Sequence, residues 1–159
     1  MDIRVGYGYD VHRLEQDLPL TIGGVKIEYY KGWVAHSDGD VLIHAICDAM
    51  LGAANMRDIG YQFPDSSSEY KGIDSTILLR KTVELIATKG FRVGNVDSTI
   101  AMQQPKLKDH IPAMQQRLAE VIGIDADRIS VKATTTEHLG FEGEGIGASA
   151  YAVVLIIKE

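Results

Sequence analysis

The C-terminal segment ASAYAVVLIIK, residues 148–158, constrains the fold more than any other part of the sequence. It is rich in small, β-branched and aromatic residues, and its apolar side chains occupy both odd and even positions. Successive side chains of a strand point to opposite faces of a sheet, so this strand is expected to be covered on both faces. If helices cover one face, copies of the same chain are the simplest cover for the other. We therefore expect a homo-oligomer.

Strand and helix patterns alternate along the rest of the chain. Strand composition is found over residues 2–11, 18–27, 91–102 and 129–135, and helical spacing of apolar residues over 40–54, 74–89 and 111–122. This order predicts one domain, residues 1–159, of the α/β class (α+β, ferredoxin-like). Its mixed sheet would have about four long strands, with helices on one face.

Composition limits the class of protein. An apolar fraction of 45% in 159 residues is enough for one real core. The single cysteine, Cys47, excludes an intramolecular disulfide and favours a reducing compartment. The N-terminus MDIRVGYGYDVH lacks a secretory signal and no segment is long enough to span a bilayer, so we expect a cytoplasmic protein without a membrane partner. A net charge of -6 with no basic run argues against nucleic acid as a partner.

Two histidines and an aspartate form a candidate metal site. Asp10 and His12 are two residues apart on a strand and so share a face, while His44 lies four residues from both Asp40 and Asp48 on a helix. One carboxylate and two imidazoles suit zinc, with the fourth position open; manganese or iron could use the same set. Asp48 is expected to accept a hydrogen bond from the second ring nitrogen of His44. On spacing alone, exposed strand-end residues and a structural histidine are the more common explanation.

Two further segments are candidates for binding phosphate. AHSDGD, residues 35–40, precedes a helix N-terminus, where free amides favour an anion and His36 and Ser37 could donate; plain helix capping is the alternative. In KATTTEHLGFEGEGIG, hydroxyl and amide groups could hold a diphosphate and Glu137 could bind a hard cation such as magnesium. A simple strand end and turn would also explain that segment. Asp58, Asp65 and Lys106 could contact hydroxyls or phosphate, or lie in surface turns and connections.

Ordered segments along almost the whole chain resemble the family of 2-C-methyl-D-erythritol 2,4-cyclodiphosphate synthases. They are GYDVH at 8–12, IGGV at 22–25, AHSDGD at 35–40, DAMLGAA at 48–54, DIG at 58–60, FPD at 63–65, YKGIDS at 70–75, GNVD at 94–97, PK at 105–106 and VKATTTEHLGF at 131–141. This resemblance implies a homotrimer with active sites between subunits. It also implies an intramolecular phosphoryl transfer that closes a cyclic diphosphate and releases CMP from a cytidine diphosphate substrate.

The resemblance also implies roles for individual residues. Asp10, His12 and His44 would bind zinc, or manganese in its place, and Glu137 would bind magnesium or manganese with the substrate phosphates. His36 and Thr135 would be the donors that strengthen in the transition state. The other substrate-binding residues that it implies are Ser37, Asp58, Ile59, Gly60, Phe63, Asp65, Met102, Pro105, Lys106, Leu107, Lys108, Ala133, Thr134, Thr136 and Phe141.

One segment departs from the family pattern. Many members carry an arginine in a GRGEG stretch, associated with an isoprenoid diphosphate on the trimer axis, where this chain reads FEGEGI at 141–146 with Glu144. The resemblance therefore does not extend to that ligand. Two other functions compete with the synthase: a zinc phosphohydrolase that uses a positioned water, and a catalytically silent trimer that senses a cytidine nucleotide and metal.

Overall fold

The computed structural model describes residues 1–159. Seven strands and five α-helices are present, joined by turns, longer loops and three single-turn 3₁₀ helices. The strands are β1 (Asp2–Gln16), β2 (Leu20–Ile22), β3 (Val25–Ile27), β4 (Lys31–Val34), β5 (Arg92–Ala101), β6 (Ile129–Thr134) and β7 (Gly147–Lys158). The helices are α1 (Val41–Ala53), α2 (Ile59–Gln62), α3 (Ser75–Thr88), α4 (Ile111–Ile122) and α5 (Gly140–Gly143). None of these helices combines the length and apolar character needed to cross a membrane.

Five strands form one mixed sheet in the order β4-β1-β7-β5-β6. Only β5 and β6 are parallel, and α4 makes the connection between them. The long helices α1, α3 and α4 all contact the sheet, and α3 also packs against both α1 and α4. Their apolar stripes form a single core with the sheet. The predicted α+β architecture with a mixed sheet is confirmed, with five strands where about four were expected.

The predicted strand over residues 18–27 is wrong as a single element. It is a two-stranded hairpin, β2 and β3, outside the main sheet. Gly23 and Gly24 turn the chain with φ of 60° and 75°, and both of their amides donate to the Asp40 carboxylate at 2.9 and 2.7 Å. Successive glycines take this left-handed conformation at no steric cost, so the apolar run is interrupted. The strand β4 was not predicted; it pairs with the C-terminal end of β1, which continues beyond residue 11.

Asp40, one of the polar residues at the start of α1, has a structural role. Its buried carboxylate caps the helix, accepting from the Ile43 amide at 3.1 Å in addition to the two hairpin glycines. Burial raises the pKa of Asp40 to about 6, although the hydrogen bonds from the three amides act in the opposite direction and lower it. This carboxylate therefore fixes the hairpin to the first turn of α1 and sets the position of the turn that follows β4.

The sheet has one covered and one open face. On β1, the glycines at positions 6 and 8 lie under α1, whereas the odd-numbered side chains face away from the helices and are exposed. The exposed apolar set on this open face is Ile3, Val5, Tyr7, Tyr9, Val11, Tyr151 and Val153. The last strand therefore carries apolar side chains on both faces, as its sequence predicts.

Candidate metal centre and substrate cleft

The structure brings Asp10, His12 and His44 together. Asp10 and His12 extend from the covered face of β1, and His44 comes down from the first turn of α1. Asp10 Oδ2 lies 3.0 Å from His12 Nε2 and 3.1 Å from His44 Nδ1, and these two nitrogens are 3.3 Å apart. Three ligand atoms from a strand and a helix thus converge on one point, as the predicted metal site requires.

The spacing of these atoms fits a tetrahedral metal. Bonds of about 2.0–2.1 Å, as zinc makes to nitrogen and oxygen, place neighbouring ligand atoms about 3.3–3.4 Å apart. Burial works against ionisation of Asp10, but its hydrogen bonds with His12 and His44 outweigh burial and lower its pKa to about 2. The carboxylate is therefore charged at neutral pH, which is the form that binds a cation.

The predicted hydrogen bond between Asp48 and His44 is wrong. His44 Nε2 instead lies 2.9 Å from Ser75 Oγ and 3.2 Å from Ser37 Oγ, and Asp48 accepts from the Ile59 amide at 3.1 Å. Helical side chains lean toward the helix N-terminus. The ring of His44 therefore reaches the turn before α1 and the start of α3, while Asp48 lies one turn further along α1 and accepts the first amide of α2.

A cleft of about 160 Å³ opens beside the three ligands. Six predicted substrate residues line it with them: His36, Ser37, Ile59, Gly60, Phe63 and Asp65. Ala35, Tyr70 and Leu78 complete the lining and were not predicted as site residues. The Tyr70 ring packs edge-on against Phe63, with the ring centres 5.6 Å apart. Asp58 is not among the lining residues, since its side chain caps α2 by accepting from the Tyr61 amide. The cleft combines a charged floor with hydroxyl, imidazole and carboxylate groups.

A second groove of about 290 Å³ lies at the other end of the sheet. It contains the predicted nucleotide residues Met102, Pro105, Lys106, Leu107, Lys108, Ala133 and Thr134, together with Thr135 and Ile111. Ile111 was not predicted as a nucleotide-binding residue. Two lysines beside apolar walls suit a flat base attached to phosphates.

The two sites are separated within one chain. Asp10 pairs with Ala150 of β7, Ala150 with Ile100 of β5, and Ile100 with Ala133 of β6. Three strand spacings of about 4.8 Å place the backbones of Asp10 and Ala133 roughly 14 Å apart. The metal ligands and the second groove therefore share no lining residue.

The loop after β6 has a strained backbone. Glu137 and His138 follow one another with φ of 56° and 62°, and Thr136 Oγ donates to the Leu139 carbonyl at 2.6 Å. Non-glycine residues in this region cost free energy and persist where the surroundings hold them. Gln103, which sequence reasoning did not single out, supplies one such contact: its Oε1 accepts the His138 amide at 3.1 Å.

Phe141 lines neither the cleft nor the second groove. It lines a third groove with Val11, His12, Arg13 and Ile146, so His12 borders both this groove and the cleft. Close by, Glu142 accepts a hydrogen bond from the Ser149 hydroxyl at 3.0 Å. This chain thus has a carboxylate in the segment where the family pattern has an arginine.

A three-ligand set beside an open cleft, carried by an α+β scaffold, fits a metal-dependent enzyme. The sequence model of the YgbB family matches residues 3–157, so the chain belongs to the YgbB family.

Curated relatives and solved structures agree with this membership. The 2-C-methyl-D-erythritol 2,4-cyclodiphosphate synthase of Bacteroides fragilis is 67% identical over 98% of both chains, and that of Bacteroides thetaiotaomicron 64% over the full length of both. The structure of IspF from Plasmodium falciparum in complex with CDP superposes with a TM-score of 0.86 at 38% identity, covering 99% of this chain and 97% of the other. The bifunctional IspDF from Campylobacter jejuni gives 0.94 at 42% identity, with 98% of this chain matching 42% of that longer one.

Proposed function

We propose that this chain is a 2-C-methyl-D-erythritol 2,4-cyclodiphosphate synthase of the non-mevalonate route to isoprenoids. It converts 4-diphosphocytidyl-2-C-methyl-D-erythritol 2-phosphate into the cyclic diphosphate and CMP. The observation that carries the proposal is the convergence of Asp10, His12 and His44 in a cleft with His36 and the other predicted residues, in a chain of this family.

Asp10, His12 and His44 would hold zinc, or manganese in its place, and Glu137 would hold magnesium or manganese. The donor chemistry supports this division, since two imidazoles suit zinc and a lone carboxylate beside hydroxyls suits a hard cation. When bound, the two cations supply Lewis acidity and neutralise phosphate charge.

The substrate brings its own nucleophile, so the residues bind and orient. An oxygen of the 2-phosphate forms a bond to the β-phosphorus, the bond from that phosphorus to the bridging oxygen breaks, and CMP leaves with that oxygen. His36 and Ser37 on one side, and Thr135 and Thr136 on the other, would hold the phosphates, with His36 and Thr135 strengthening their hydrogen bonds as charge develops. Folding the substrate so that its two phosphates meet is the main contribution of the protein, because it removes an entropic barrier.

The other predicted residues would fix the two ends of the substrate. Asp65, with Phe63 beside it, would hold the methylerythritol hydroxyls, and Asp58, Ile59 and Gly60 would meet the ribose. The second groove would take the cytosine. Its members in this role are Met102, Pro105, Lys106, Leu107, Lys108, Ala133 and Thr134.

We also propose that the active protein is a homotrimer with each active site between two subunits. The separation of about 14 Å between the metal ligands and the nucleotide groove supports it, because a neighbour could bring its groove to the cleft. The exposed apolar face of β1 and β7 supports it too. Sedimentation equilibrium is expected to give three copies; a stable monomer would contradict this. A cytoplasmic location fits the single buried cysteine without a partner.

The test is turnover of the diphosphocytidyl substrate with zinc and magnesium, followed by chromatography. CMP and the cyclic diphosphate are expected in equal amounts. Free phosphate would favour a hydrolase, and an unchanged substrate with zinc-loaded protein would favour a nucleotide sensor. His44→Ala should lose zinc and turnover but keep the trimer, whereas His110→Ala, which removes an imidazole outside the site, should keep all three. Wild-type turnover in His44→Ala would refute the metal assignment.

A further inference from the structure

A chain of hydrogen bonds leads from the metal ligand His44 through Ser75 to Asp38. His44 Nε2 lies 2.9 Å from Ser75 Oγ, and the Ser75 hydroxyl donates to Asp38 Oδ1. The Ser75 amide donates to the other oxygen of the same carboxylate at 2.9 Å. Ser75 is fully buried and His44 is 9% exposed, so the contact between them is shielded from water, while Asp38 is half-buried.

The direction of each hydrogen bond follows from what the groups can do. An ionised Asp38 carboxylate can only accept, so the single hydroxyl proton of Ser75 points to Asp38. The lone pairs of Ser75 Oγ then face His44 Nε2, which must carry the ring proton to make a favourable contact. A metal-bound imidazole has one ring proton. With that proton held on Nε2, the coordinating nitrogen is Nδ1, and Nδ1 is the nitrogen that lies at the point shared with Asp10 and His12.

Asp38 itself is held firmly. Its amide donates to the Ile73 carbonyl at 3.1 Å, and its Oδ1 accepts the Asp40 amide at 3.1 Å. The carboxylate thus joins the turn before α1 to the start of α3. Ser37 Oγ, at 3.2 Å from His44 Nε2, is the longer of the two contacts to that nitrogen and accepts from the Gly39 amide.

We propose that Asp38 and Ser75 are positioning residues that fix the tautomer and the ring orientation of His44 for metal binding. The inference rests on the proposed metal site. Ser75 contacts the ring of His44 directly, and Asp38 acts on the ring by holding Ser75. Partners of this kind alter metal affinity by about 10–100-fold when they are removed.

The experiment measures zinc affinity by competition with a chromophoric chelator, without substrate. Ser75→Ala and Asp38→Asn are each expected to weaken zinc binding by about 10–100-fold, with the folded circular dichroism spectrum kept. Ser98→Ala is the matched control, because Ser98 is also buried and donates to the Ser130 carbonyl, away from the site. It should change zinc affinity less than twofold.

A double variant tests whether the two residues act in series. Since Ser75→Ala already disconnects Asp38 from His44, adding Asp38→Asn should weaken zinc binding no further. Additive losses would overturn the series arrangement, and zinc affinities within twofold of wild type in both single variants would overturn the inference. NMR of the zinc-loaded protein gives a second readout: the Nε2 proton of His44 should exchange slowly with water in the wild type and faster in Ser75→Ala. If the wild type binds no zinc, the proposed metal site fails and this inference fails with it.

Discussion

Gly8 controls how closely α1 approaches the sheet, and therefore where His44 meets its partners. A Cβ added at Gly8 would lie 1.9 Å from the Ala45 carbonyl oxygen and 2.7 Å from the Ala49 amide nitrogen. Ordinary contact begins at 3.4 Å, so Gly8→Ala requires a separation of about 1.5 Å between β1 and α1. Both obstacles are backbone atoms, which cannot move aside as a flexible side chain can.

The geometry around Gly8 sets the expected loss of stability in Gly8→Ala. Overpacking costs about 1–3 kcal/mol, and the upper value applies because backbone must move. For a chain of this size, about 3 kcal/mol corresponds to a fall in Tm of about 6–12 °C. His44 adjoins Ala45, and metal ligands tolerate displacements of only about 0.2 Å, so zinc affinity should fall at least about tenfold.

Thermal unfolding by circular dichroism and chelator competition test this prediction. Gly52→Ala is the matched control: it adds the same Cβ to α1, where nothing lies within 4 Å, and is expected to stabilise the helix by about 0.5–1 kcal/mol. A Tm for Gly8→Ala within 2 °C of wild type, with unchanged zinc affinity, would refute the argument that Gly8 sets the distance between strand and helix.

Three other predictions concern single contacts. Asp40→Ala removes the acceptor of three amides, including that of Gly24, and should lower the free energy of unfolding by about 2–4 kcal/mol in urea titrations; a loss below 0.5 kcal/mol would contradict the capping role. Burial raises the pKa of the Cys47 thiol to about 12, so iodoacetamide at pH 8 should label it only after unfolding, and rapid labelling of the folded protein would disprove its burial. Gln103→Leu removes the acceptor of the His138 amide and should reduce kcat more than it raises KM. Unchanged kinetics would show that the loop after β6 keeps its conformation without Gln103.

The sequence predicted those elements whose apolar spacing is regular. The helices α1, α3 and α4 were found because their core residues recur every three to four positions. The hairpin at Gly23 and Gly24 was not predicted, because the apolar residues on either side of the turn read as one continuous strand. The strand β4 was missed because four residues carry too little pattern, and its pairing with β1 is set by contacts distant in sequence.

At the site too, sequence spacing predicted the contacts within one element but missed those between elements. Asp10 and His12 could be paired from the two-residue repeat of a strand, but nothing local brings His44 to them; that required the family pattern. Spacing also favoured Asp48 as the partner of His44, since i and i+4 share a helix face. The actual partner, Ser75, lies 31 residues away. Sequence spacing reports contacts within one element, and packing between elements decides the rest.

The most direct test of the account is turnover in water enriched in heavy oxygen, with products analysed by phosphorus NMR. The substrate phosphate is proposed to be the nucleophile, so neither CMP nor the cyclic diphosphate should contain oxygen from water. Both products unlabelled, in equal amounts, is the predicted result. Heavy oxygen bonded to a product phosphorus would show that water attacks, and would replace the proposed cyclisation with hydrolysis.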